Sequence, residues 1–265
     1  IIVDQPVAQT FYGVATQRED QLSTPFSGTK TNTTYSTDAG YDALILTSSG
    51  GSVNSSGEYA FASTLDLEDV YSLDLERRIV SRGIYPNDTI DSRTALIDTW
   101  DDFDGAVVDF VNAELYVRKT DDDPSGTPTY SGWQPLANGV LKARAFQFKA
   151  VLTSNDPAQN VLVDELGYKA QMQQRTEQST SAVASGTSAK AVTFTNPFFT
   201  GTSSLGGANS SLPTIGITPQ NMATGDFFEL SSISRTGFTV TFKNSSGTIV
   251  DRNFNYMATG FGKAE

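Results

Sequence analysis

The sequence predicts an all-β protein, and three observations carry that prediction. Apolar and polar residues alternate with period two over many short runs. Turn-forming clusters of Gly, Pro, Asn, Asp and Ser separate those runs, and no stretch of useful length shows helical periodicity. Tyr71, Leu73 and Leu75 share one face, with Ser72, Asp74 and Glu76 opposite. Ala113, Leu115 and Val117 alternate with Glu114, Tyr116 and Arg118. Both read as half-buried strands. From Leu141 the pattern runs Leu141, Ala143, Ala145 and then changes phase to Phe146 and Phe148, which predicts a bulge near Ala145-Phe146. Val161, Val163 and Glu165 alternate with Leu162, Asp164, Leu166 and Tyr168 in a further strand. Turns are expected at 48–57, 86–88 and 121–128, and a short helix fits Thr94–Asp104.

The chain has 265 residues, enough for two ordinary domains that each bury a core. A small polar stretch at 176–190 reads as a connector or an edge strand, which divides the chain into a connecting segment (1–40), a first sandwich (41–172) and a second (173–265). Beyond the connector, strands are expected at 192–194, 214–218, 227–230, 237–242 and 249–256. Asn244-Ser245-Ser246-Gly247 turns the last two into a hairpin. A core built from so few residues is marginal alone, and oligomerisation would relieve it.

Eighteen basic against thirty acidic residues give a net charge of −12, which repels nucleic acid over most of the surface. There is no Cys, so a disulfide framework and a thiolate zinc site are excluded. The absence of His removes the commonest general base and every Ser-His or Cys-His nucleophile. A metal, if bound, would be a hard ion such as Ca²⁺ held by oxygen ligands. The chain opens Ile1-Ile2-Val3 and holds no apolar run long enough to span a bilayer, so a larger parent with further sequence N-terminal to it is expected.

Asp98, Trp100, Asp101, Asp102 and Asp104 crowd one short segment, where carboxylates would hold Ca²⁺ and Trp100 would stack on a sugar ring. The segment lacks the spacing of an EF-hand, and a solvated loop anchored by Trp100 is the alternative. Asp121-Asp122-Asp123 beside Pro124 reads as a charged turn. No carboxylate pair stands out for glycoside hydrolysis, and the repeat period of a β-helical depolymerase is missing. The chain therefore reads as built to bind or assemble rather than to catalyse.

The runs VTFTNPFF (192–199), PTIGIT (213–218), GFTVTF (237–242) and FNYMATGFG (254–262) resemble the H-type lectin pattern. That resemblance implies a six-stranded antiparallel sandwich that associates as a homotrimer and binds sugar between subunits. It points to Asp251, Arg252, Asn255 and Tyr256 as ligand residues beside Trp100, Asp101 and Asp104. More narrowly, ITPQNMATGDFF (217–228) and FKNSSGTIVDRNF (242–254) are similar to the C-terminal ends of host-specificity proteins, the central tail-tip proteins of lambda-like siphophages. LDL (65–67), IDTWDDFDG (97–105), LYVR (115–118) and LKARAFQFKA (141–150) are similar to the same group. The first domain also resembles a galactose-binding or discoidin jelly roll, with Leu65-Asp66-Leu67, Trp133, Ala143-Arg144-Ala145-Phe146 and Glu165-Leu166 in matching places. There a closing-strand carboxylate helps hold Ca²⁺, which implies that role for Glu165; Asp102, from the acidic segment, is the other candidate oxygen ligand. An ordinary pairing of Glu165 with Lys142 or Arg144 is the other possibility. Together the resemblances imply a receptor-binding module at the distal tail tip of a virion, in contact with other tail-tip proteins and with a bacterial surface glycan or outer-membrane protein. A purely structural trimerisation cap and, behind it, a polysaccharide depolymerase are the other readings.

Overall fold

The computed structural model describes residues 11–37, 42–86, 94–99, 108–202 and 211–262. The protein is all-β, and the strand pairings among those residues are antiparallel. In chain order the first part holds β1 (Phe11–Arg18), β2 (Thr29–Thr31), β3 (Thr33–Ser36), β4 (Ala43–Leu46), β5 (Ser48–Ser49), β6 (Ser52–Val53) and β7 (Ser56–Ala60). The long β8 (Leu65–Ile84), β9 (Val111–Thr120), β10 (Gln134–Pro135), β11 (Gly139–Ser154) and β12 (Asn160–Gln178) follow. The expected helix at 94–104 is a single 3₁₀ turn, Ile97–Thr99, preceded by non-helical residues at 94–96, and 100–104 lie outside the described residues.

Two layers form because β8 serves both. Its first half pairs with β11, Leu65 to Leu75 against Phe146 to Gly139. Its second half pairs with β12, Asp74 to Ile84 against Gln171 to Asn160. On the other edge of β11 lies β9, and on the other edge of β12 lie β1 and β4. The inward alternation of each strand fills the space between the layers. Phe148 of β11 stacks on Tyr168 of β12 at 4.0 Å, and Phe61, Tyr59 and Phe26 continue the aromatic row. The phase change in β11 is a bulge between Ala143 and Ala145. Opposite it β8 loops outward over 67–70. Glu68 takes the left-handed φ of 63° there, and its N–H donates to Asp66 Oδ1 at 2.9 Å.

Residues 11–36 are not a connecting segment, as their sequence suggested. β1 pairs with β12 from Phe11–Gln173 to Arg18–Gly167, β2 with β7 and β3 with β4. The anchor is Glu19, only 1 % exposed. Its carboxylate accepts from Gln17 Nε2 at 2.8 Å and from the Tyr59 hydroxyl. That hydroxyl accepts in turn from the Gly28 N–H at 2.9 Å, and burial, reinforced by the Glu19 contact, pushes its pKa up. A buried carboxylate met by donors in this way fixes the segment to the sandwich. Next to it, Asp20 Oδ1 takes the Leu166 N–H at 3.1 Å beside the register shift at Val163–Glu165 in β12.

The C-terminal part holds β13 (Val183–Ala184), β14 (Lys190–Thr193), β15 (Thr214–Gln220), β16 (Phe227–Ser234), β17 (Gly237–Lys243) and β18 (Asn253–Phe261). β18 pairs with β15 on one edge and with β13 and the end of β12 on the other; β14, β17 and β16 form the second sheet. Phe194, Phe198, Phe238, Val240, Phe242, Phe254 and Ala258 are the buried residues of the apolar cluster between them. Of the two readings of 176–190, connector or edge strand, the edge strand holds at 176–178, which end β12 and pair with Thr259 to Met257. The turn at 244–247 is present, with the Gly247 N–H donating to Asn244 O at 2.9 Å, and the hairpin beyond it is short, closed by the Asn244 N–H on Thr248 O at 2.9 Å and the Val250 N–H on Phe242 O at 3.0 Å. A single bridge joins Lys243 to Ile249, after which the chain crosses to the other sheet as β18. The crossing places Phe254 and Ala258 opposite Phe242 and Val240 rather than beside them.

The two parts meet at one joint. Arg235 Nη2 lies 2.7 Å from Asp69 Oδ2 on the β8 loop and 3.1 Å from the Tyr71 hydroxyl, which donates to Phe198 O at 3.2 Å. The Arg175 guanidinium sits 3.7 Å over the Phe198 ring, donates to Gly262 O and pairs with Glu177 at 3.2 Å. Tightness elsewhere has a sharp test at Gly167, where a Cβ would fall 2.0 Å from the Gln17 carbonyl oxygen of β1. Gly167→Ala should push β1 off β12 and cost about 3 kcal/mol, an overpacking penalty read as a lower urea midpoint with an unchanged slope.

Candidate functional site

Of the four C-terminal residues singled out by sequence, three are engaged within the fold. Asp251 Oδ1 accepts from the Gly186 N–H at 2.7 Å and from the Ser185 hydroxyl at 3.5 Å. Arg252 presents Nε and Nη2 to Asp226 Oδ2, each at 2.6 Å, and donates from Nη1 to Asp251 O at 2.7 Å. Asp226, its side chain 2 % exposed, also takes the Ala223 N–H at 2.7 Å, and these donors hold its carboxyl below the usual range, Arg252 most of all. The pair binds the loop before β16 to the crossing before β18. Tyr256 points inward against Phe194 and Phe238, with ring centroids at 6.5 and 5.4 Å. Burial, helped by Glu177, raises its hydroxyl pKa.

Asn255 lies on the outside instead, its Oδ1 accepting from Gln220 Nε2 at 3.5 Å. Residues directly opposite each other in adjacent strands point to the same face. Asn255 is paired with Thr218 and shares the outer face of the β12–β18–β15 sheet with the next two rows. One row is Gln178, Met257 and Gly216; the other is Thr176, Thr259 and Thr214. None of these is charged. Met257 is 51 % exposed at the centre, beside a Gly216 that offers no side chain. The charged residues of the same stretch of β12, Arg175 and Glu177, alternate to the inner side and pair with each other. Sequence reasoning passed over this face because it sought charges and aromatics. Its signal was the uncharged alternation T-x-Q, T-x-G-x-T and N-x-N-x-M-x-T along three strands.

In the first part, Trp100, Asp101, Asp102 and Asp104 lie outside the described residues. Glu165 faces a cation rather than other carboxylates: its Oε2 is 3.3 Å from Arg18 Nη2. Neither Lys142 nor Arg144 is its partner, because Arg144 is drawn to Asp66 at 3.2 Å and Asp123 at 3.0 Å. Among the described residues no group of three or more acidic side chains converges to hold a metal ion. The acidic turn is tied down, with Asp123 Oδ1 receiving the Ser125 N–H and hydroxyl and Asp122 Oδ2 the Thr129 N–H. Trp133 packs beside Tyr130 around Arg118, whose guanidinium carbon lies 4.7 and 4.6 Å from the two ring centres. Lys149 Nζ lies 4.9 Å from the Trp133 ring. These contacts hold the 121–135 segment on the outside of β9 and β11.

No protein-family model, curated protein or solved structure matched the chain when it was compared with each.

Asp226 gives the small sandwich a pH-dependent lock. Its folded pKa is lowered, so its contribution is complete above the unfolded aspartate value of about 3.9 and is lost as pH falls through the folded value. Asp226→Asn should therefore be less stable than wild type at neutral pH, with the gap closing through the acid range in urea titrations at stepped pH. A gap that persists at the acid end would place the loss in packing instead of charge.

Proposed function

We propose that the chain is a host-attachment module of a phage tail tip. In this reading its C-terminal sandwich assembles three copies and the assembly grips a bacterial surface glycan or outer-membrane receptor. The observation that carries the reading is the uncharged outer face of the β12–β18–β15 sheet. At a net charge of −12, copies of the chain repel one another over most of their surface, and approach costs least where no charge is present. Asn, Gln and Thr side chains each donate and accept, so rows of them complement their own copies around a symmetry axis. Met257 beside Gly216 supplies a knob and a recess at the centre. The sequence resemblance to host-specificity proteins and H-type lectins supplies the biological setting: a virion tip in contact with other tail-tip proteins. Three weak receptor sites held rigidly together gain avidity without any new contact.

The same face supports a second reading in which the copies assemble only to cap the tip. Gly216→Glu separates assembly from folding. A Cβ at that position meets nothing nearer than the Met257 carbonyl oxygen at 3.7 Å, so the variant folds while placing a carboxylate on the face. Light scattering should give wild type at three times 28.4 kDa and the variant at 28.4 kDa with an unchanged circular dichroism spectrum. A monomeric wild type at micromolar concentration overturns the assembly. Wild-type trimers should bind arrayed bacterial surface polysaccharide or outer-membrane preparations at least about 100-fold more tightly than the monomeric variant. Trimers that bind neither leave the capping reading standing alone.

A further inference from the structure

We propose that the joint between the two parts of the chain holds a neutral carbohydrate, taking the hydroxyl-bearing edge of one sugar ring; the inference rests on the glycan reading above. The joint encloses a cleft of about 80 Å³ between the outward loop of β8, the segment 199–201 and Arg235. One water needs roughly 10–15 Å³ of such space, so the cleft has room for several hydroxyl-sized groups.

Its chemistry selects the ligand. Arg235 spends Nη2 on Asp69 and Tyr71, but its Nε is shielded from solvent and has no acceptor among the described residues. A buried donor left in that condition is destabilising, and an incoming oxygen relieves it. Glu68 stands exposed at the rim and supplies the opposite need, an acceptor for a donated proton. A simple anion answers Arg235 but is repelled by Glu68 and already replaced by Asp69. A hydroxyl accepts and donates at once, and two neighbouring hydroxyls bridge the Arg235 N–H to the Glu68 carboxylate. Tyr71 and Phe199, packed edge to face at 5.7 Å, give the cleft an apolar wall suited to the C–H groups of the same ring. The backbone around the cleft is bent to shape it: Glu68 has φ of 63° and Gly201 of 87°. A left-handed residue with a side chain is uncommon and recurs where a ligand site holds the strain.

The Arg235 Nε–H resonance in a ¹⁵N spectrum of the whole chain, assigned by its loss in Arg235→Lys, reports directly on the cleft. Methyl β-galactopyranoside, methyl β-glucopyranoside and methyl α-mannopyranoside are the probes, with sodium acetate as the anionic one. At least one glycoside should shift the resonance saturably in the millimolar range while acetate does not. Glu68→Gln, exposed and clear of the core, should weaken that glycoside several-fold with the fold unchanged. A shift by acetate alone, or an affinity unmoved by Glu68→Gln, overturns the proposal. If wild type and Arg235→Lys bind bacterial polysaccharide equally and no glycoside moves the resonance, the cleft is not the site although the glycan reading stands. If neither glycoside nor polysaccharide is bound, both fall.

Discussion

The structure depends on one strand belonging to two cores. β12 enters as a central strand of the first sandwich, with β8 on one edge and β4 and β1 on the other. It leaves as a strand of the second, paired with β18. Its alternation changes character on the way. Val161, Val163, Leu166 and Tyr168 are buried against the aromatic row, and from Gln174 onward the outward residues are exposed and uncharged. Because the backbone is continuous through the change, the orientation of the second sandwich follows from the twist of the first. Arg175 over Phe198 and Arg235 on Asp69 then hold the remaining freedom on either side of that strand.

Much of this was legible in the residues. The faces of β8, β9 and β11 follow from alternation alone, and the bulge in β11 was visible as two phases that do not fit one strand. The small polar residues from Thr176 onward left two readings open because composition cannot tell an exposed strand from a linker: Thr176 and Gln178 are polar on account of facing outward. The N-terminal segment misled for a different reason. Its anchor is a buried Glu19, which any hydropathy pattern scores as surface, and which is tolerable inside only because Gln17 and Tyr59 meet it. The hairpin after Asn244 stops at Val250, at a decision no local pattern records, whether a strand continues its own sheet or crosses to the facing one.

The residues that looked functional in sequence were the charged ones, and in the small sandwich most of them fasten loops. Asp251 caps the chain at Gly186, and Arg252 and Asp226 close the loop before β16. A sandwich with so small an apolar cluster relies on such locks, so its charges are unavailable for a partner. What remains on the outside of the β12–β18–β15 sheet is hydroxyl, amide and thioether. Recognition through such groups reads shape and hydrogen-bond direction and depends little on ionic strength.

The continuity of β12 also sets how the molecule carries load. Tension drawn between the first sandwich and the start of β18 at Asn253 runs along the strand axes. It loads the Gln174–Gln178 ladder in shear, so that its hydrogen bonds resist together and do not open one after another as a peeled hairpin would. A flexible tether would absorb such a pull by extending. Here extension requires breaking a sheet, so traction passes from one sandwich to the other through the ladder itself.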